Sequence, residues 1–121
     1  METKILVTDD DPMILRMAEM FLSKAGYQVL KAASGSACLE LLRTETVSMI
    51  LLDVEMPGLG GIDTLMELRK TQLAQGVPLY FLSGSEETEE KVRSGEYPAD
   101  GFIRKPFLPA ALVSAVQDAV K

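Results

Sequence analysis

The chain has no histidine, a single cysteine and no long apolar run among its 121 residues, and each absence removes a class of function. Without histidine a Ser-His-Asp hydrolase cannot be assembled, and a zinc site loses its usual nitrogen ligand. The lone Cys38 cannot form an internal disulfide. No apolar stretch approaches the roughly 20 residues that span a bilayer. The opening "METKILV" runs straight into a strand pattern, with no basic start, apolar stretch or cleavage site of a secretory signal. Positive charge is scarce too, with 12 Lys and Arg against 18 Asp and Glu and a net charge of −6. A nucleic-acid face needs a basic stripe, and none is visible, so no direct nucleic-acid contact is expected. These absences point to a cytoplasmic protein that does not associate with membranes.

What is present suits one domain over residues 1–121, with 47% hydrophobic and 25% charged residues. Strand-like and helix-like segments alternate along it. "KILVT" (4–8) is a short, β-branched apolar run of the kind found in buried parallel strands. Asp11 then stands as a helix N-cap before Pro12, and Ile14, Met17, Ala18, Phe21 and Leu22 follow at helical spacing, with Gly26 at C′. The pattern recurs. Further strands are predicted at 27–32, 48–53, 78–84 and 101–105. Helices are predicted at 36–45, burying Cys38, Leu41 and Leu42, and at 86–94. Another carries Ile62, Leu65, Met66 and Arg69, and the last puts Leu108, Ala111, Leu112, Ala115, Val116, Ala119 and Val120 on one stripe. Strands alternating with helices imply right-handed βαβ units and a parallel sheet covered on both faces. Five units in this length predict an α/β, flavodoxin-like, doubly wound (βα)5 sandwich with strand order 2-1-3-4-5.

The polar residues gather where the strands stop. The first strand ends at Asp9 and Asp10, the third at Asp53, the fourth at Ser83 and the fifth at Lys105. All strands of a parallel sheet end on one edge, so these residues would meet in a single crevice. Three carboxylates there cannot all stay ionised without a compensating cation. Oxygen donors without histidine or thiolate favour a hard ion such as Mg2+, which keeps coordination positions open for a phosphate oxygen. Lys105 adds a point charge and Ser83 a hydroxyl donor. A cation, a lysine and a hydroxyl around one carboxylate suit phosphoryl transfer, with Asp53 as the nucleophile that accepts the group.

"KILVTDDDP", "MILLDVEMPGLGG", "LYFLSGS" and "GFIRKPF" stand in this order along nearly the whole chain. Together they closely resemble the successive signatures of the receiver domain of two-component response regulators. The resemblance implies a phosphoacceptor signalling domain that assists its own phosphorylation and dephosphorylation and is not an enzyme with a separate substrate. It implies that Asp53 takes a phosphoryl group from a histidine kinase or histidine phosphotransfer protein. Asp10, Asp53 and the backbone carbonyl of Glu55 would bind Mg2+ directly, with Asp9 acting through water. Ser83, Lys105 and the backbone N–H of Gly84 would contact the phosphoryl oxygens. Phe102 matches the family's switch aromatic, which turns inward when Ser83 moves toward the phosphate, and Lys105-Pro106 matches a bond that is usually cis. A downstream protein target or attached output domain would read the switched surface near the fourth helix, fifth strand and fifth helix, with room for a phosphorylation-dependent homodimer.

The chain departs from the family pattern in a few places. Gly60 stands where the family often has Asp or Ser, weakening one helix cap by only a few tenths of a kcal/mol. The family's glycine ahead of Ala99 is missing from "EYPAD", and the fourth helix has little apolar surface beyond Val92. Glu55 and Ser85 occupy variable positions beside the site that influence phosphate lifetime. Three alternatives compete. A haloacid-dehalogenase phosphatase shares an Asp-x-Asp motif with Mg2+, but Met13 stands where it needs Thr or Val. An FMN carrier would bind phosphate where three carboxylates repel it. A purely structural module would not need Asp53, Ser83 and Lys105 together.

Overall fold

The computed structural model describes residues 3–121. Ten elements alternate along the chain: β1 (Lys4–Thr8), α1 (Pro12–Lys24), β2 (Gln28–Ala32), α2 (Gly35–Leu42), β3 (Met49–Asp53), α3 (Gly61–Thr71), β4 (Leu79–Ser83), α4 (Glu86–Arg93), β5 (Gly101–Arg104) and α5 (Pro109–Ala119). The five strands pair in parallel in the order β2-β1-β3-β4-β5, the flavodoxin-like arrangement that the alternating pattern predicts.

The strand sequences explain the layering. β3 reads "MILLD" and is buried at every position, as a central strand covered on both faces must be. Successive side chains point to opposite faces. Leu6, Ile50, Leu52, Leu79 and Phe81 therefore meet α2 and α3 through Cys38, Leu42, Leu65 and Leu68. Ile5, Val7, Met49, Leu51, Leu82 and Ile103 meet α1 and α5 through Ala18, Leu22, Leu112 and Val116. Each fully buried Leu or Ile contributes about 1.5–3 kcal/mol, so these two clusters hold the sheet edge in place. Cys38 is a buried free thiol whose pKa is raised by burial, as befits a small core residue.

Helix punctuation follows the sequence closely. The Asp11 side chain accepts the Met13 N–H at 2.9 Å and Pro12 opens α1. At the other end Gly26 adopts φ +99°, with the Gly26 N–H on Ser23 O and the Tyr27 N–H on Leu22 O, each at 3.0 Å. Those two bonds make a Schellman cap, which a Cβ at the left-handed position would strain. Gly60 caps α3 with no side-chain bond. The Lys105-Pro106 bond is cis.

The periodicity misplaces a few side chains and ends. On α3 Met66 is exposed, whereas Thr64 and Leu68 are buried with Leu65, rotating the inner face away from the expected stripe. Leu108 is 72% exposed because it occupies the N-cap of α5 and precedes the helical stripe, and Ala111 is exposed as well. α2 stops at Leu42, short of Glu45, because the Arg43 and Thr44 N–H groups turn back onto Glu40 O and Leu41 O at 3.2 Å in a tighter, 3₁₀-like turn. Leu41 is only half-buried. β5 ends at Arg104, so Lys105 leaves the strand, its N–H still held by Ser83 O at 2.9 Å.

Candidate functional site

β1, β3 and β4 are neighbours in the sheet, and their C-terminal ends bring Asp9, Asp53 and Ser83 together at one edge. Gly61 allows the chain to turn tightly there. A Cβ on it would strike the Asp53 carbonyl oxygen and stand 2.7 Å from Val54 Cα, so only glycine lets α3 begin against the end of β3. The Gly61 N–H fixes that approach by donating to Val54 O at 3.0 Å.

The resulting cleft is open, with a volume of about 590 Å3, and its walls include Asp9, Asp10, Asp53, Glu55, Ser83, Gly84 and Lys105. Asp9, Asp53 and Ser83 are buried, whereas Asp10, Glu55 and Gly84 are exposed. Lys105 reaches in from the end of β5. Its Nζ stands 2.6 Å from Asp9 Oδ2 and 3.1 Å from Asp53 Oδ1. The contact with Asp53 is a hydrogen bond. The closer one to Asp9 is an ion pair lacking hydrogen-bond alignment, and Asp9 Oδ2 is left with no directed partner. The other Asp9 oxygen, Oδ1, accepts the Asp11 N–H at 3.0 Å. Asp11 therefore braces Asp9 with its backbone while its own side chain caps α1.

The electrostatics are those of a crowded anionic pocket. Burial pushes the Asp53 carboxyl up to about 6, the Lys105 ammonium holding it down and the Asp9 charge adding to the rise. Burial alone would lower the Lys105 ammonium, but its pairing with the Asp9 and Asp53 carboxylates outweighs that and raises it. One carboxylate oxygen from each of Asp9, Asp10 and Asp53 lies within 4.8 Å of the other two. Three hard oxygen donors, from carboxylates of which Asp9 also keeps one buried oxygen without a directed hydrogen bond, fit a small divalent cation such as Mg2+.

Phe102 stands apart from this wall. It is half-buried on β5, packed on the core, with the Arg93 guanidinium of α4 at 5.5 Å from its ring. Ser85, read from the sequence only as a variable neighbour, has a structural part: its side chain caps α4, and its N–H donates to Ser83 Oγ at 3.0 Å. The serine ahead of the acidic run "EETEE" carries the sequence signal for that cap.

A doubly wound sheet whose C-terminal edge presents this acidic pocket with one lysine and one serine has the architecture of a two-component receiver. The chain belongs to that family, the response regulator receiver domain, whose family profile matches residues 5–117. It is 35% identical over 117 residues to the alkaline phosphatase synthesis transcriptional regulatory protein PhoP of Bacillus subtilis, covering 97% of this chain and 48% of that protein. It is also 35% identical over 117 residues to the DNA-binding response regulator MtrA of Mycolicibacterium smegmatis, covering 97% of this chain and 50% of that one. Among solved structures, the chemotaxis protein CheY4 of Vibrio cholerae superposes with a TM-score of 0.90 at 28% identity, covering 98% of this chain and 99% of CheY4. The response regulator TrrA of Thermotoga maritima, solved in complex with Mg2+-BeF, superposes with a TM-score of 0.85 at 26% identity, covering 97% of this chain and 98% of TrrA.

The chain spans about half the length of the curated relatives it matches. Those relatives overturn the expectation of no direct nucleic-acid contact, since they are transcriptional regulators and MtrA is named as DNA-binding. The physical reason is simple: an acidic balance bounds only the surface of the residues counted, not the contacts of proteins about twice as long. Among the described residues, no helix is long and apolar enough to cross a membrane.

Proposed function

We propose that residues 1–121 form one receiver domain that accepts a phosphoryl group on Asp53 and uses it to control an output. The observation that carries this reading is the position of Lys105, whose ammonium is shared between two buried carboxylates at the end of the sheet. Asp10, Asp53 and the backbone carbonyl of Glu55 would hold Mg2+, with Asp9 acting through water. When bound, the ion neutralises charge on the phosphoryl group and its surroundings. Asp53 is the nucleophile: its carboxylate oxygen forms the bond to phosphorus as the phosphorus–nitrogen bond of a donor phosphohistidine breaks. The leaving imidazole keeps the electron pair and takes a proton from solvent.

Lys105 would transfer its pairing from the Asp53 carboxylate to a phosphoryl oxygen, and Ser83 Oγ and the Gly84 N–H would donate to the others. The modification adds charge and acceptor oxygens, which bind one arrangement of these loops better than another and so shift a two-state equilibrium. Phe102 and the surface around α4, β5 and α5 would report the shift to a partner, an attached output domain or a second copy of the chain. The names of the curated relatives support a transcriptional output. The donor would be a histidine kinase or histidine phosphotransfer protein in the cytoplasm.

Incubation with Mg2+ and a small-molecule phosphodonor, followed by peptide mapping by mass spectrometry, tests the assignment. One phosphoryl group is expected on Asp53, dependent on Mg2+ and absent from Asp53→Asn. Modification that persists in that variant, or none in the wild type, would overturn it.

A further inference from the structure

α4 is held on the sheet unlike any other helix of the fold. Its sequence "EETEEKVR" buries Thr88 alone, with Val92 half-buried, so apolar packing contributes little to its docking. Charge fills the gap. The Glu89 carboxylate, only 16% exposed, takes Arg93 of its own helix through Oε1 and Arg104 of β5 through Oε2, each at 2.7 Å. Arg93 in turn lies 5.5 Å above the Phe102 ring on the same strand. On its other side α4 is tied by Lys91, which pairs with Glu87 and stands 5.3 Å over Tyr97, but those contacts stay within the helix and the segment that follows it. The Arg93–Glu89–Arg104 triad is therefore the chief polar tie between α4 and the strand beside it.

The Arg104 end of this tie adjoins the phosphoryl-binding groups, and so, separately from the triad, does the start of α4. Arg104 immediately precedes Lys105 in the chain. At the helix start, Ser85 caps α4 through its side chain, and its N–H rests on Ser83 Oγ. A demand on Lys105 or Ser83 from new acceptor oxygens thus pulls on the strand that carries Arg104 or on the N-cap of α4.

We propose that the Arg93–Glu89–Arg104 triad is an electrostatic latch that keeps α4 seated on β5 in the unmodified protein and opposes occupancy of the phosphoryl site. The proposal rests on the reading of Asp53 as phosphoacceptor and extends it to regulation of that site. A latch of charges on a weakly packed helix releases over a small free-energy range, which an apolar interface would not. Releasing it in advance leaves the site less to overcome, so a variant without the latch binds a phosphoryl mimic more tightly.

The test compares wild type with Glu89→Gln and, as a milder lesion at a more exposed position, Arg93→Gln. Hydrogen exchange followed by mass spectrometry should show amides of residues 86–93 exchanging about three- to tenfold faster in both variants, with α1 and α2 unchanged. Titration with Mg2+ and beryllium fluoride should show both variants binding about three- to tenfold more tightly than wild type. Raising the salt concentration should speed α4 exchange in wild type and much less in Glu89→Gln. Unchanged exchange in both variants would overturn the latch, and faster exchange with unchanged or weaker mimic binding would overturn its coupling to the site. Absence of mimic binding in wild type would overturn the phosphoacceptor reading and the coupling with it, while the exchange arm would still decide whether the triad seats α4.

Discussion

The Nζ of Lys105 lies 3.1 Å from Oδ1 of Asp53, although 52 positions separate the two residues in the chain. The same ammonium stands 2.6 Å from Asp9, so one cation offsets the repulsion between two buried carboxylates. Losing it leaves an uncompensated buried charge. Lys105→Met should lower the stability of the metal-free protein by about 3 kcal/mol, measured by urea unfolding. Added Mg2+ should then raise its melting temperature more than it raises that of wild type. Equal stabilities without metal would show that the pairing carries no net energy.

Asp53→Asn should have the opposite sign. The Asp53 pKa is raised by burial to about 6, above the unfolded value of about 3.9, so the native state holds its proton longer than the unfolded chain does. Stability contributed by that proton is present at low pH and is lost as pH rises between those values. Asparagine removes this loss, and the metal-free variant should be more stable than wild type by about 1–3 kcal/mol near neutral pH. The gain should vanish as pH falls toward the unfolded value. A gain that grows on acidification would contradict the sign.

The same proton competes with metal. Below about pH 6 the Mg2+ affinity of the wild type should fall by about tenfold per pH unit, as one carboxyl protonates. Isothermal titration at several pH values reads the slope directly, and Asp53→Asn should flatten it. A pH-independent affinity would separate Asp53 from the metal.

Two adjacent glycines should respond differently to substitution. Gly61→Ala forces a methyl group onto the Asp53 carbonyl and Val54 Cα, and should cost about 3 kcal/mol in urea unfolding. At Gly60 a Cβ meets Val54 O at 3.4 Å, which is tight contact but no collision. Gly60→Ser adds the missing α3 cap and should change stability by only about half a kcal/mol. Equal losses at the two sites would contradict the placement of the α3 start.

Much of the site was legible before the fold was known, and particular residues show why. Asp9, Asp10, Asp53, Ser83 and Lys105 each follow a strand-like run, and a parallel sheet puts all such positions on one edge. Asp11 was legible as a cap because Pro12 follows it. Met66 falls on the expected stripe but is exposed, and the buried Leu68 lies off it, since an apolar side chain at helical spacing satisfies the pattern on either side of a stripe. Glu89 is not singled out by the sequence, because Glu87 also has a basic residue four positions on, in Lys91. Its 16% exposure follows from Arg104, fifteen residues away on a strand beside it.

The sequence by itself determined the alternation of strands and helices, the parallel order and the set of residues at the sheet edge. These rest on local periodicity, capping chemistry and the single direction of parallel strands. The tertiary structure alone decided which oxygen of Asp9 faces Lys105, that Asp11 braces the other, and that Arg93 and Arg104 converge on one carboxylate. The contacts of Lys105 with Asp9 and of Arg104 with Glu89 depend on distances between side chains far apart in the chain. No local propensity encodes such distances, and only the packing of two hydrophobic layers around the sheet sets them.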